Sequence, residues 1–218
     1  MSRYASCKIY DFWYGVGVYL YESVMIVYVE GQSCAGKTFI IEALKHKYPC
    51  ITVVGELPEN FSLTSCDVSK LCRDNDIRKV YDAKFSSDRW GFAIVDRCYA
   101  SSLCYHYTRW KDSEMHLYGT TLDRFFECRA NWFLSKPDIY LYVTVSEETR
   151  HKRINYTGRE DWFRPFEQVS LYYKSFFQYV DFDVPVLELN WEFSIEVNLT
   201  ILSNYLKESL NCDLADYA

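Results

Sequence analysis

Residues Gly31-Gln-Ser-Cys-Ala-Gly36-Lys37-Thr38 complete the pattern GxxxxGK[ST], and the rest of the sequence is organised around them. The pattern follows a short apolar run at 25–29 and opens a segment at 37–46 whose apolar residues have helical spacing. A chain that passes from a buried strand through such a loop into a helix points backbone N–H groups at phosphate oxygens. The pattern therefore predicts a phosphate-binding loop for a nucleoside triphosphate.

Each part of this loop has an expected role. We expect Lys37 to reach the β- and γ-phosphates and the Thr38 hydroxyl to bind Mg²⁺. The structural alternative is a glycine turn that only joins a strand to a helix. The residues predicted to surround the nucleotide phosphates are Gly31, Gln32, Ser33, Cys34, Ala35, Gly36, Lys37 and Thr38.

Strand and helix patterns alternate after the loop. Apolar runs at 51–54, 92–95, 139–145 and 184–189 predict four more strands, and helical patterns at 65–85, 99–110, 122–134, 166–180 and 194–210 separate or follow them. Strands without polar alternation are typical of a parallel sheet that is covered on both faces. We therefore predict an α/β fold of three layers, with a five-stranded parallel sheet and helices on both faces.

Length and composition exclude several classes of protein. The 218 residues carry a net charge of −6, with 49% hydrophobic and 25% charged residues, which excludes a wholly disordered chain and argues against a nucleic-acid coat or a polybasic membrane module. The nine cysteines form no CxxC pair, so a zinc site is not expected. We expect buried free thiols instead, in a protein of a reducing, cytoplasmic compartment. No signal peptide or membrane span is predicted.

The chain reads as one domain with an extension. Residues 1–23 contain many tyrosines and precede the first strand, so we interpret them as an N-terminal extension of a domain at 24–218. The expected partner is a small-molecule acceptor, with no stable nucleic acid and no membrane, and a homodimer is left open.

Two acidic residues follow predicted strands. Glu56 comes after the second strand, and Asp96 and Arg97 come after the third. Because the carboxyl ends of parallel strands meet at one edge of the sheet, we expect these side chains beside the phosphate loop. Either carboxylate is suited to accept a proton from an attacking hydroxyl or to act at Mg²⁺, and Arg97 to neutralise a transferring phosphoryl group.

Basic residues crowd one short segment of an otherwise acidic chain. We interpret 150–164 as a mobile lid whose cations, Arg153 and Arg159 above all, meet the transferring phosphoryl group. The alternative is a solvated helix face balanced by nearby acids. The basic residues are Arg150, His151, Lys152, Arg153, Arg159 and Arg164.

These motifs together resemble the deoxynucleoside kinase and thymidylate kinase group of P-loop kinases over residues 24–210. VEGQSCAGKT is similar to the phosphate loop of that group, VVGELP to its Glu-Pro segment, VDRCYASS to its Glu-Arg-Ser or Asp-Arg-Tyr segment, and RINYTGRED to its lid. The resemblance implies that Glu56 is the general base and that lid arginines grip phosphates. The chain departs from the group at Thr157, where a second lid arginine is usual, at Trp162, where a carboxylate would hold the sugar, and in lacking a base-reading glutamine.

The combined prediction is an Mg-ATP-dependent kinase whose acceptor is a (deoxy)nucleoside 5′-hydroxyl. Lys37, Arg97, Arg153 and Arg159 would stabilise phosphoryl charge, and Glu56 or Asp96 would activate the hydroxyl. Three alternatives stay open: a nucleoside-monophosphate kinase, a kinase of an acceptor that is not a nucleoside, and a non-catalytic nucleotide-binding module. Asp96-Arg97 favours the monophosphate kinases, whereas Glu56 and the lid favour the nucleoside kinases.

Overall fold

The computed structural model describes residues 25–56, 68–85, 91–110, 115–158 and 166–218. The predicted N-terminal extension and two basic residues of the predicted lid, Arg159 and Arg164, lie outside these ranges. Within the described residues, no helix combines the length and the apolar character that a membrane span needs. The thiols described there are free: Cys34, Cys50, Cys98, Cys104, Cys128 and Cys212.

Among the described residues, five parallel strands form one sheet, as predicted. The strands are β1 (Met25–Gly31), β2 (Thr52–Val54), β3 (Phe92–Asp96), β4 (Ile139–Thr144) and β5 (Val186–Asn190), in the spatial order β2-β3-β1-β4-β5. The register pairs Val29 of β1 with Asp96 of β3 and Gly31 of β1 with Val143 of β4. The central position of β1 therefore sets the phosphate loop between the ends of its two neighbours.

In the part of the chain that the structure describes, seven α-helices connect and cover the strands. They are α1 (Lys37–Lys47), α2 (Val68–Phe85), α3 (Tyr99–Trp110), α4 (Met115–Ala130), α5 (Glu147–Thr157), α6 (Phe166–Tyr179) and α7 (Ile195–Leu210), and a short 3₁₀ helix, Leu214–Tyr217, follows.

The prediction for α4 was wrong at both ends, since the helix begins at Met115 and stops at Ala130 rather than running from 122 to 134. It stops because Trp132 has a left-handed φ of 64°, and the N–H groups of Phe133 and Leu134 turn back to the Cys128 carbonyl.

The three inner strands, β1, β3 and β4, are buried on both faces, which explains their continuous apolar runs, whereas the edge strand β5 is partly exposed. On one face, Val27 and Val29 pack with α1 and α7 in one core cluster. On the other face, Ile26 and Tyr28 pack with α2, α3, α4 and α6 in a second core cluster. The three-layer architecture is confirmed.

Much of the aromatic content lies in the second cluster, where tyrosine hydroxyls find buried partners. Tyr99 and Tyr140 both donate to Asp181 Oδ2, at 2.8 and 2.5 Å, and Arg129 donates to Asp181 Oδ1 at 3.0 Å. Because Asp181 is fully buried, this network compensates a charge that burial would otherwise make costly. It fastens the end of α6 to α3, α4 and β4.

Candidate active site

The phosphate loop runs from the end of β1 to the start of α1. Gly31 has a φ of 141°, and a Cβ at this position would lie 2.3 Å from the backbone oxygen of Val143. Gly36 has a φ of 104° and precedes the first residue of the helix. Both glycines are therefore required by the backbone: the first lets the loop pass tightly beside β4, and the second starts α1.

Lys37 lies inside the loop. Its side chain is 5% exposed, and Nζ donates to the carbonyl oxygens of Gly31 at 2.9 Å and of Gln32 at 2.6 Å. Burial, with a smaller contribution from the positive charge of Arg97, lowers the pKa of Lys37 to about 7. The ammonium is thus held at the centre of the loop in an environment that favours an incoming anion.

Asp96 ends β3 beside the loop, and its oxygen Oδ1 is buried without a hydrogen-bond partner among the described residues. Burial, reinforced by the Glu56 carboxylate, raises the pKa of Asp96. A carboxylate oxygen without a partner and the exposed hydroxyl residue Thr38 are the hard oxygen ligands that Mg²⁺ prefers. No cluster of three acidic, His or Cys side chains stands within the described ranges. Mg²⁺ is usually held by one or two protein oxygens together with phosphates of the substrate.

Glu56 and Arg97 form an ion pair across the site. Arg97 Nε lies 3.0 Å from Glu56 Oε1, although the N–H is not aligned for a hydrogen bond. The Glu56 side chain is half exposed, whereas the guanidinium is mostly buried. Burial opposes the charge of Arg97, but Glu56 and further buried anionic groups outweigh it and raise the pKa of Arg97. The structure therefore joins the two strand ends that the sequence placed at one edge.

Ser146 precedes helix α5 and caps its N-terminus by accepting from the Thr149 N–H at 3.2 Å. Two arginines of this helix bind the phosphate loop. Arg150 is 1% exposed and donates from Nε to the Ser33 carbonyl at 3.3 Å, and Arg153 donates to the Cys34 carbonyl at 3.1 Å.

The solvated-face alternative describes only part of this basic segment. Lys152 does pair with Glu148 at 2.6 Å on the surface, as that alternative expects. Arg150 and Arg153, in contrast, connect the helix to the loop.

An open cleft of about 710 Å³ lies between the loop and α5, which is within the usual size range of ligand pockets. Seven predicted site residues line it, and five of them were expected to act on phosphate, metal or acceptor: Lys37, Thr38, Glu56, Arg97 and Arg153. Cys34 and Gly36 of the loop line it as well, whereas the buried Asp96 does not. Aromatic side chains complete the lining, namely Phe39, Tyr156 and Trp191.

Trp191 was not predicted from the sequence. A Cβ on Gly36 would lie 2.7 Å from its ring, so the glycine allows the indole to cover the loop. Phe39 meets the ring edge to face at 5.1 Å, and the Arg153 guanidinium lies 5.2 Å from its centroid. The residue follows β5 directly, and its position after a strand was the only available signal.

Glu30 was quoted in the family resemblance without a role. It is fully buried, accepts from the Cys98 N–H at 2.8 Å and from the Tyr173 hydroxyl at 3.3 Å, and is hydrogen-bonded by Ser101. Burial raises the pKa of Glu30. An acid inside an apolar strand was the sequence signal, and the structure uses it to join β1 to α3 and α6.

Comparison with known proteins supports this architecture. No family model matches the sequence, and no curated protein sequence matches it. The structure is similar to deoxyadenosine kinase from M. mycoides with bound dATP, with a TM-score of 0.67 and 18% identity over 84% of this chain and 100% of that one. The same kinase with bound dCTP has a TM-score of 0.60 and 21% identity, over 84% and 99% of the two chains.

Thymidylate kinase from Candida albicans is also similar, with a TM-score of 0.54 and 17% identity over 87% of this chain and 93% of that one. At such identities the likeness concerns the fold. The chain therefore has the fold of the deoxynucleoside and thymidylate kinase group of P-loop kinases, the group that its motifs resemble.

Proposed function

We propose that this protein is an Mg-ATP-dependent kinase that phosphorylates the 5′-hydroxyl of a (deoxy)nucleoside. The observation that carries the proposal is the Glu56–Arg97 ion pair, which lines the same cleft as Lys37 and Thr38. A carboxylate beside a phosphate loop can accept the proton of a neutral hydroxyl, and the paired arginine offsets its charge toward the anionic donor.

The loop would hold the triphosphate. Its backbone N–H groups and the Lys37 ammonium face the phosphate oxygens, so that Lys37 would exchange its contacts with the carbonyls of Gly31 and Gln32 for contacts with phosphate. Thr38 and Asp96 would hold Mg²⁺ there. When bound, the ion would neutralise negative charge on the phosphates.

Glu56 would take the proton in the transfer step. The O–H bond of the acceptor breaks as its oxygen attacks the γ-phosphorus, the proton passes to a Glu56 carboxylate oxygen, and the bond from the γ-phosphorus to the bridging oxygen breaks to release ADP. Arg97 would keep the carboxylate in place and stabilise charge on the transferring group.

The arginines of α5 and the segment after it would complete the site. Arg153 lines the cleft and binds the Cys34 carbonyl, a contact that it would exchange for a phosphate oxygen. We assign the same role to Arg159, which follows Gly158, the residue that ends α5 in a left-handed conformation. Charge that reaches the phosphoryl group from several sides is the main source of catalysis in such reactions.

A nucleoside monophosphate is the second candidate acceptor, because Arg97, Arg153 and Lys152 together give the cleft a positive wall. Pairing of Arg97 with Glu56 reduces that charge, however, and a carboxylate would repel an acceptor that is already anionic. The geometry therefore favours the neutral acceptor.

A panel of acceptors tests the proposal. Thymidine, deoxycytidine, deoxyadenosine and deoxyguanosine, each beside its monophosphate, are supplied with ATP and Mg²⁺, and ADP release is measured. We expect turnover with at least one nucleoside and a loss of about 100-fold or more in Glu56→Gln. Glu42→Gln, at an exposed position of α1, is the matched control and should be unaffected.

Two results would contradict the proposal. Turnover confined to monophosphates, with Glu56→Gln nearly as fast as the unmodified protein, would favour the monophosphate kinase. ATP binding without turnover on any member of this panel would favour an acceptor that is not a nucleoside or a non-catalytic nucleotide-binding module.

A further inference from the structure

Lys79 is a buried cation that the proposed chemistry does not use. It lies on α2 with 3% of its surface exposed and is not among the residues that line the cleft. Its Nζ donates to two consecutive backbone carbonyls, those of Asp96 and Arg97, each at 3.1 Å. A buried ammonium needs such partners, and here both of these acceptors belong to the segment that carries two candidate catalytic residues.

The backbone of that segment is unusual. Arg97 has a φ of 59°, a left-handed conformation that is unfavourable for any residue with a Cβ. Such a conformation persists only where the surroundings determine it, and it is found preferentially at functional sites.

Four contacts determine it here. In the peptide group between Asp96 and Arg97, the carbonyl accepts from Lys79 and the N–H donates to the Val29 carbonyl at 3.0 Å. In the next peptide group, between Arg97 and Cys98, the carbonyl accepts from Lys79 and the N–H donates to Glu30 Oε1 at 2.8 Å. The φ and ψ angles of Arg97 set the orientation of these two peptide planes relative to each other. Hydrogen bonds that fix both planes therefore also fix the backbone conformation of Arg97.

We propose that Lys79 is a positioning residue that keeps Arg97 in its left-handed conformation and thereby aims the guanidinium at Glu56 and the cleft. Lys79 is too buried to meet substrate, so its effect passes through the backbone of Arg97. The catalytic part of this inference rests on the proposed kinase function, whereas the conformational part does not.

A double-mutant cycle tests both parts. Glycine adopts a positive φ without a steric cost, so Arg97→Gly removes the need for a holding contact. The four proteins are the unmodified chain, Lys79→Met, Arg97→Gly and the double variant, and each is measured by urea unfolding and by steady-state kinetics.

In unfolding, Lys79→Met is expected to lower stability clearly more when Arg97 is present than in the Arg97→Gly background. Equal losses in both backgrounds would overturn the conformational part, whether or not the protein is a kinase. If Lys79→Met alone does not fold, the double variant is expected to fold, and its failure would count against the proposal.

In kinetics, Lys79→Met is expected to lower kcat at least tenfold while the KM for ATP changes less than threefold, because the phosphate loop itself is untouched. In the Arg97→Gly background the same substitution should change kcat less than threefold, since the guanidinium that Lys79 positions is gone. A tenfold loss in both backgrounds would show that Lys79 does not act through Arg97.

Two control variants distinguish positioning of Arg97 from a general effect of losing a lysine or a buried charge. Lys84→Met removes another lysine of α2 and should leave both kcat and stability nearly unchanged. The charge of Lys79 also partly offsets the burial that raises the pKa of Asp76, so Lys79→Met removes the larger of the two positive charges that compensate that carboxylate. Adding Asp76→Asn removes the carboxylate charge, and full recovery of kcat in Lys79→Met/Asp76→Asn would overturn the positioning role.

Discussion

Affinity for ATP should depend on pH through Lys37. The pKa of this side chain is lowered to about 7, first by burial and then by the charge of Arg97, so about half of the free protein carries a neutral amine at pH 7. Phosphate oxygens beside Nζ would hold the ammonium protonated in the complex. We therefore predict that binding of ATP takes up a proton, and that affinity falls as pH rises above 7.

The size of the effect follows from the titration. If Lys37 is fully protonated in the complex, the Kd at pH 8 is about 5-fold and at pH 9 about 50-fold larger than at pH 7, or about 1 and about 2 kcal/mol. Proton uptake on binding rises from about half a proton at pH 7 to about 0.9 at pH 8. Phosphate groups with a pKa of about 6 are already ionised over this range and do not contribute to the trend.

Calorimetric titration with MgATP in buffers of different ionisation enthalpy measures both quantities. Lys37→Arg keeps a permanent charge and should show no such slope, and Lys45→Met, at an exposed position of α1, should retain it. A Kd that changes less than twofold between pH 7 and 9, or binding without proton uptake, would refute the reasoning.

Three further predictions concern the lid, the loop and a buried acid. Arg153→Ala should lower kcat about 100-fold with little change in the Kd of ATP, because its charge acts mainly on the transferring group. The two constants are measured separately, kcat by steady-state kinetics and Kd by direct binding. An unchanged kcat would support the interpretation of α5 as a solvated helix face. Gly31→Ala should destabilise the fold by about 3 kcal/mol or more, since its Cβ would lie 2.3 Å from the Val143 oxygen; a melting temperature within about 2 °C of the unmodified protein would contradict this. Burial raises the pKa of Asp76 to about 6 from 3.8, so the folded state binds more protons than the unfolded state between these values, and ionisation costs stability as pH rises through them. Between about pH 4 and 7, the free energy of unfolding of Asp76→Asn should therefore rise by up to about 3 kcal/mol relative to that of the unmodified protein, as measured by urea unfolding. A difference between the two proteins that stays constant with pH would contradict this prediction.

Local features of the sequence were sufficient for the class of fold. The phosphate loop lies in eight consecutive residues, and its glycines meet the backbone demands that the structure shows at Gly31 and Gly36. Strands buried on both faces must be continuously apolar, so their number and parallel arrangement could be predicted as well. The end of α4 could not be predicted, because the left-handed residue in the turn after it is Trp132 and not a glycine, which would have indicated a helix end.

The sequence was sufficient to predict residues of the candidate site, but not the contacts that these residues make. Strand ends placed Glu56 and Arg97 at one edge, but no pattern shows that their side chains form an ion pair. Charge counting found the basic segment, but could not separate Arg150 and Arg153, which bind the loop, from Lys152, which pairs on the surface.

By itself, therefore, the sequence determined the phosphate-loop pattern, the α/β class and the strand ends that carry the candidate catalytic side chains, since each of these depends on residues that are neighbours along the chain. Only the tertiary structure decided the strand order, the place of Trp191 over Gly36, and the two bonds from Lys79 to the backbone at Arg97. Lys79 looks in the sequence like any lysine of a charged helix. Its burial and its partners depend on how α2 packs against β3, and packing between distant segments leaves no local pattern to read.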